Sequence, residues 1–133
     1  MIVIDASAAI ALLADSGSLG AFVGSQVRQH ELAYPALMPF EVASGLRSLA
    51  ARGTVSTSFA AAALQSISQL GGVECPFAGL AERVWQLRDN VSAYDAAYVA
   101  LAELLEVPLL TLDFRLQTAP GTRCTFVPLP PPS

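Results

Sequence analysis

YDAAYVALAE, Tyr94 to Glu103, is the stretch on which the fold turns. It reads as the middle of a helix running from Ser92 to Glu106 and ended by Pro108. Its small and apolar residues lie on nearly every side instead of along one stripe, the pattern of a helix buried all round. The alanines let such a helix approach a sheet closely. Asp95 sits in its first turn, where with Ser92 it fits a capping box and an acid answers the helix dipole. The same position is a good mount for a ligand-holding carboxylate, so both readings of Asp95 stand.

Outward from this helix, short apolar runs alternate with helical stretches. Ile2-Val3-Ile4 predicts a strand, and a helix follows from Ser7 through Leu13, then a second to about Gln29. Leu32-Ala33-Tyr34 predicts a strand before Pro35. Pro39 suits the first turn of a helix that continues from Phe40 to Ala51 and stops at Gly53. Ser56 to Leu70 predicts a helix closed by Gly71-Gly72, Val73-Glu74-Cys75 a strand, and Leu80 to Leu87 a helix. Leu109 to Leu112 reads as a buried strand and Cys124 to Val127 as a last one. Strands alternating with helices predict an α/β class chain: a central parallel sheet covered on both faces by right-handed crossovers. At 133 residues, 1–133 is expected to be a single domain, with an extended proline-rich tail at 128–133.

Composition narrows the function. The apolar fraction is 53% and the charged fraction 14%, which excludes a disordered chain. No run approaches the length of a membrane span, so a soluble, cytoplasmic protein is expected. All seven basic residues are arginine and the net charge is −4, which argues against binding nucleic acid through a broad basic surface. A polyanionic substrate would need local arginines or metal ions. Cys75 and Cys124 form no metal spacing, and His30 is the one histidine, so a zinc site is set aside.

Four acids occupy one kind of place. Asp5 and Asp113 follow predicted strands, and Glu41 and Asp95 sit in first turns of predicted helices. In an open parallel sheet these ends face the same crevice, so the four are expected to converge. Each also has a plain structural use as a cap or first-turn acid. Together they repel, which raises their pKa values, and a hard divalent cation such as Mg²⁺ or Mn²⁺ relieves that repulsion. Such a site can lower the pKa of a bound water and assist in-line phosphoryl displacement. Ser7 either orients a carboxylate or metal-bound water, or caps a helix. Thr111, two residues before Asp113, reads as packing.

The residues Asp5-Ala6-Ser7-Ala8, Pro39-Phe40-Glu41, Tyr94 to Glu103 and Leu110-Thr111-Leu112-Asp113 resemble those of PIN-domain ribonucleases, and more closely VapC toxins of bacterial type II toxin–antitoxin systems. The resemblance spans nearly the whole chain. It implies a three-layer α/β/α fold and Mg²⁺- or Mn²⁺-dependent endonucleolytic cleavage of RNA, most often transfer or ribosomal RNA, inhibiting translation and growth. It implies that Asp5, Glu41, Asp95 and Asp113 form the catalytic and metal-binding quartet. Asp5 and Asp95 are then the first candidates for direct ligands, with Glu41 and Asp113 completing the shell. Arg115 lies two residues past Asp113 and either touches the phosphate or pairs on the surface. Arg47 and Arg52 either steer RNA or pair likewise. The resemblance further implies a homodimer and a cognate VapB antitoxin in a toxin–antitoxin hetero-oligomer. Apolar residues between Phe40 and Leu70, Phe59 among them, offer a groove for an amphipathic partner helix or simply pack on the sheet.

Two other readings remain from the residues. A phosphoaspartyl receiver or phosphatase has a similar sheet but uses a lysine, and the chain has none. A catalytically inert PIN-like module that binds RNA or protein would have no reason to gather four acids.

Overall fold

The computed structural model describes residues 1–132. Four strands, β1 (Ile2–Ile4), β2 (Leu32–Pro35), β3 (Val73–Cys75) and β4 (Leu109–Leu110), form one parallel sheet in the order β3-β2-β1-β4. Six helices lie between them and a seventh follows β4 among the described residues: α1 (Ala6–Ala14), α2 (Ser18–Gln29), α3 (Met38–Ala51), α4 (Thr57–Ile67), α5 (Ala81–Gln86), α6 (Ala93–Leu105) and α7 (Phe114–Gln117). The chain steps from β1 through β2 to β3 in one direction, then jumps back over two strands to β4. Right-handed crossovers therefore put α1 to α4 on one face of the sheet and α5 and α6 on the other. The three-layer α/β/α expectation is met. The order reverses between β1 and β4, the kind of place where open parallel sheets bind ligands.

Helix α6 packs on β1, β2 and β4, with Ala96 to Ala102 all buried. Four of the seven are alanine, and side chains that small let a helix lie close to a sheet while being covered on its other sides. The strands beneath contribute Ile2, Val3, Ile4, Leu32, Ala33, Leu109 and Leu110 to the same core. At the far end of α6, Glu103 accepts hydrogen bonds from Arg83 Nε (2.6 Å) and Arg123 N (2.7 Å), and Arg83 also donates to the carbonyl of Gly121 (2.8 Å). This cluster fastens α5 and the C-terminal segment to α6. No single helix is long and apolar enough to cross a membrane among the described residues.

Two expected strands are corrected. Leu109 to Leu112 is a strand only to Leu110, because Thr111 leaves the ladder and its Oγ1 accepts from Asp113 N at 3.0 Å. Cys124 to Val127 is no strand but a single bridge, Phe126 to Leu109, held by Leu109 N to Thr125 O and Val127 N to Leu109 O. A two-residue β4 offers nothing more to pair with. Helix α7 and a 3-10 turn at Phe77–Gly79 were not expected. The tail at 128–132 has neither helix nor strand, and Leu129 packs against the core; the expectation for Ser133 lies outside the described residues.

Helices α1 and α2 meet at 110° around a tight elbow in which Asp15 Oδ1 accepts from Gly17 N. Gly20 faces that elbow, and a Cβ there would lie 1.9 Å from the carbonyl oxygen of Asp15. The clash is with backbone, so nothing flexible can yield. Gly20→Ala is expected to destabilise the protein by about 2–3 kcal/mol, read from urea unfolding midpoints.

Candidate active site

Each acid is placed by the element it begins. Asp5 ends β1 and is the N-cap of α1, its Oδ1 accepting from Ala8 N at 2.9 Å and from Ser7 Oγ at 2.6 Å. The cap of α1 is thus Asp5 and not Ser7. The Ser7 hydroxyl instead ties two loops together, donating to Asp5 and accepting from Leu112 N at 2.9 Å. It anchors the segment that carries Asp113 to the segment that carries Asp5. Thr111, wholly buried, stands 3.5 Å from Ser7 Oγ and holds the backbone of Asp113. It does more than pack.

Helix α6 is capped by Ser92, whose Oγ accepts from Asp95 N at 3.1 Å. The capping oxygen therefore comes from Ser92, and the Asp95 carboxylate is half-buried at the crevice. Glu41 lies in the first turn of α3, and its Oε1 accepts a 2.6 Å hydrogen bond from the phenol of Tyr98 on α6. Asp113 caps α7, accepting from Arg115 N at 2.9 Å. Helix α7 has Arg115 in its last turn, and the Arg115 guanidinium lies 3.6 Å from Asp113 with its side chain 93% exposed. Arg47 and Arg52 are exposed and make no ion pair among the described residues.

Electrostatics shows which carboxylates are neighbours. Burial pushes the Asp5 carboxyl above its usual range; the hydroxyls of Ser7 and nearby Thr111 and the Ala8 N–H oppose this, and Asp95 adds repulsion. Burial also raises Glu41, against the pull of Tyr98, and Asp95 and Asp5 push it further up. Asp95 is raised by burial and then by Asp113, while Ser92 and Arg115 draw it down. Asp95 is therefore the hub, repelling or repelled by each of the other three. The four acids expected to converge lie near enough to act on one another through Asp95.

The carboxylates are neighbours without being drawn into one ligating group. No three His, Cys, Asp or Glu side chains stand in a metal-holding arrangement among the described residues. Three of the four have an oxygen turned aside, Asp5 to Ser7 and Ala8 N, Glu41 to Tyr98 and Asp113 to its own helix, as uncompensated like charges favour. The donor set nevertheless fits a hard divalent cation: it is all oxygen, with neither thiolate nor imidazole in it. In Asp5 the inward bonds are both on Oδ1. Tyr98 escaped sequence reasoning because a ring in a wholly apolar helix looks like core.

Beside the crevice runs a groove of about 420 Å³ lined by Leu37, Phe40, Phe77, Leu80, Val84 and Tyr94, among others. Phe40, Phe77 and the nearby Trp85 are largely exposed. The face is apolar and uncovered.

Comparison with known proteins shows the family and the fold. A family model described as "PIN domain" matches residues 2–121. The chain is 42% identical to Ribonuclease VapC9 of Mycobacterium tuberculosis over 130 residues, covering 98% of this chain and 99% of that protein. Its fold is similar to that of Mycobacterium tuberculosis VapC20, described as a sarcin-ricin loop cleaving toxin, with a TM-score of 0.65 at 17% identity over 92% of this chain and 97% of that one. It is also similar to VapBC2 from Rickettsia felis, solved bound to a DNA fragment from its promoter, with a TM-score of 0.64 at 12% identity over 92% and 96%.

A carboxyl whose pKa is higher folded than unfolded holds its proton more tightly when folded. Its contribution to stability is fully present below the unfolded value, 3.8 for Asp95, and is lost as pH rises through the folded one. At pH 7, without divalent ions, Asp95→Asn is therefore expected to melt higher than the wild type by on the order of 2 °C. The gap should close as the pH is lowered toward 4, measured by thermal scans across that range.

Proposed function

The chain belongs to the PIN-domain family, with VapC ribonucleases as full-length relatives, and from that premise we propose that it is a metal-dependent endoribonuclease toxin. The observation that carries the proposal is the meeting of Asp5, Glu41, Asp95 and Asp113 at the strand-order reversal, where a ligand crevice is expected. Asp5 and Asp95 are assigned as direct ligands of Mg²⁺ or Mn²⁺, with Glu41 and Asp113 completing the shell. A divalent ion bound there supplies Lewis acidity to a nucleophilic water and offsets charge on the scissile phosphate.

The chain's own residues prepare that chemistry. Ser7 and Ala8 N fix the Asp5 carboxylate through Oδ1. Thr111 and Ser7 hold the turn before Asp113, setting its distance from Asp95. Among the described residues the Arg115 side chain is held by one long exposed contact to Asp113, from which it can swing to an incoming phosphate. In-line hydrolysis forms one phosphorus–oxygen bond from water, breaks another, and leaves a proton on the departing oxygen. The substrate is assigned as transfer or ribosomal RNA, and cleavage as the cause of arrested translation and growth.

Residues 1–133 act as one domain in the cytoplasm in this reading. The partner that neutralises the toxin is a VapB-type antitoxin, as in the VapBC2 assembly of Rickettsia felis. An amphipathic antitoxin helix suits the clefts between α1 and the α3–α4 turn, which Ile10, Leu13, Leu49, Val55 and Phe59 line. A homodimer is assigned to the uncovered face of Phe40, Phe77 and Trp85, whose burial removes aromatic surface from water.

Asp5→Asn and Asp95→Asn, each folded by circular dichroism, are expected to lose Mn²⁺-dependent RNA cleavage by more than about 100-fold. Undiminished cleavage by both variants would remove the quartet from the chemistry. Sequencing RNA ends after brief induction is expected to give a few discrete sites in transfer or ribosomal RNA. Phe77→Glu is expected to sediment as a monomer where the wild type sediments as a dimer.

A further inference from the structure

Tyr98 is the largest wholly buried side chain, and nothing in packing explains its hydroxyl. A phenylalanine would fill nearly the same volume without a polar atom to satisfy. A buried hydroxyl costs free energy unless it finds a partner, so its position is informative. The partner is Glu41 Oε1, at 2.6 Å, on a helix 57 residues away in sequence. An O–H donor to a carboxylate at this distance makes one of the stronger hydrogen bonds available to side chains.

The bond also joins the right elements. Tyr98 lies three residues after Asp95 on α6, so the two share a helix face. Asp5 and Glu41 both lie close enough to the phenol to act on it electrostatically, and they and its burial hold it protonated. It therefore serves Glu41 as a donor only. Glu41 is pushed by both Asp5 and Asp95, and a half-buried, flexible glutamate in that position gains by turning out to solvent. The phenol opposes that escape while using only one of its two oxygens.

We propose that Tyr98 is a positioning residue, whose phenol clamps Oε1 of Glu41 so that the carboxylate stays in the crevice with Oε2 turned to a divalent ion. Helix α6 then sets two of the four acids, Asp95 directly and Glu41 through Tyr98. The role rests on the metal-dependent reading given above.

The test is Tyr98→Phe, which keeps the ring and removes the donor. Calorimetric Mn²⁺ titration of the unreacted protein is expected to show affinity weakened roughly 10–100-fold. Cleavage at saturating Mn²⁺ should return toward the wild-type kcat, with the KM for RNA unchanged; a loss through general loosening would not be rescued by metal. In a Glu41→Ala background the same substitution should change Mn²⁺ affinity no further. Wild-type Mn²⁺ affinity in Tyr98→Phe overturns the inference. Should Tyr98→Phe not fold, Glu41→Asp reaches the same bond from the surface. One methylene shorter, it cannot hold Tyr98 and face the crevice together, so unaltered Mn²⁺ affinity there also overturns the role. Failure of the wild type itself to bind Mn²⁺ would instead overturn the metal-dependent reading beneath it.

Discussion

The close approach of helix α6 to the sheet governs the arrangement of this molecule. Seven consecutive residues, Ala96 to Ala102, are buried, and four of them are alanine. A helix of larger residues would stand further off β1, β2 and β4 and carry Asp95 away from the ends of β1 and β4. The return crossover from β3 must span two strands to reach β4, and α6 is the element that crosses them. Core packing and site geometry are thus one requirement. The Arg83–Glu103 pair at the opposite end, with Arg123 N and the carbonyl of Gly121, keeps the helix from sliding along the sheet.

Much of this was legible in the sequence, for identifiable reasons. Three strands and six helices announced themselves by β-branched runs, by proline and glycine punctuation, and by serine caps at Ser56 and Ser92 that the structure uses. What was hidden depends on contacts between distant residues. Strand β4 stops early because Thr111 bonds to Asp113 instead of a neighbouring strand, and no local pattern tells a threonine which to choose. Helix α7 has four residues, too few for periodicity to register. The division of labour between Asp5 and Ser7 was undecidable locally, since both are good caps and only Leu112, 105 residues from Ser7, breaks the tie. Tyr98 needed Glu41 for its meaning.

The four acids show how a fold carries an unfavourable cluster. Asp5, Glu41 and Asp95 are each held above the ordinary carboxylate range, burial being the first cause in every case. The protein offsets part of this locally, with Ser7, Thr111 and Ala8 at Asp5, Tyr98 at Glu41 and Ser92 at Asp95. These polar neighbours favour the ionised forms. The quartet's charge equals the net −4 of the whole chain, so away from the crevice the surface is close to neutral on balance.

The uncovered apolar face has an optical consequence. Trp85 is the one tryptophan in the chain, stands largely exposed on α5, and has the Arg88 guanidinium 4.6 Å from its ring centre. Its emission therefore comes from an indole in water. Whatever covers that face will shift the emission to shorter wavelength, and no second indole will blur the signal. The molecule carries its own fluorescent gauge of when that surface is occupied.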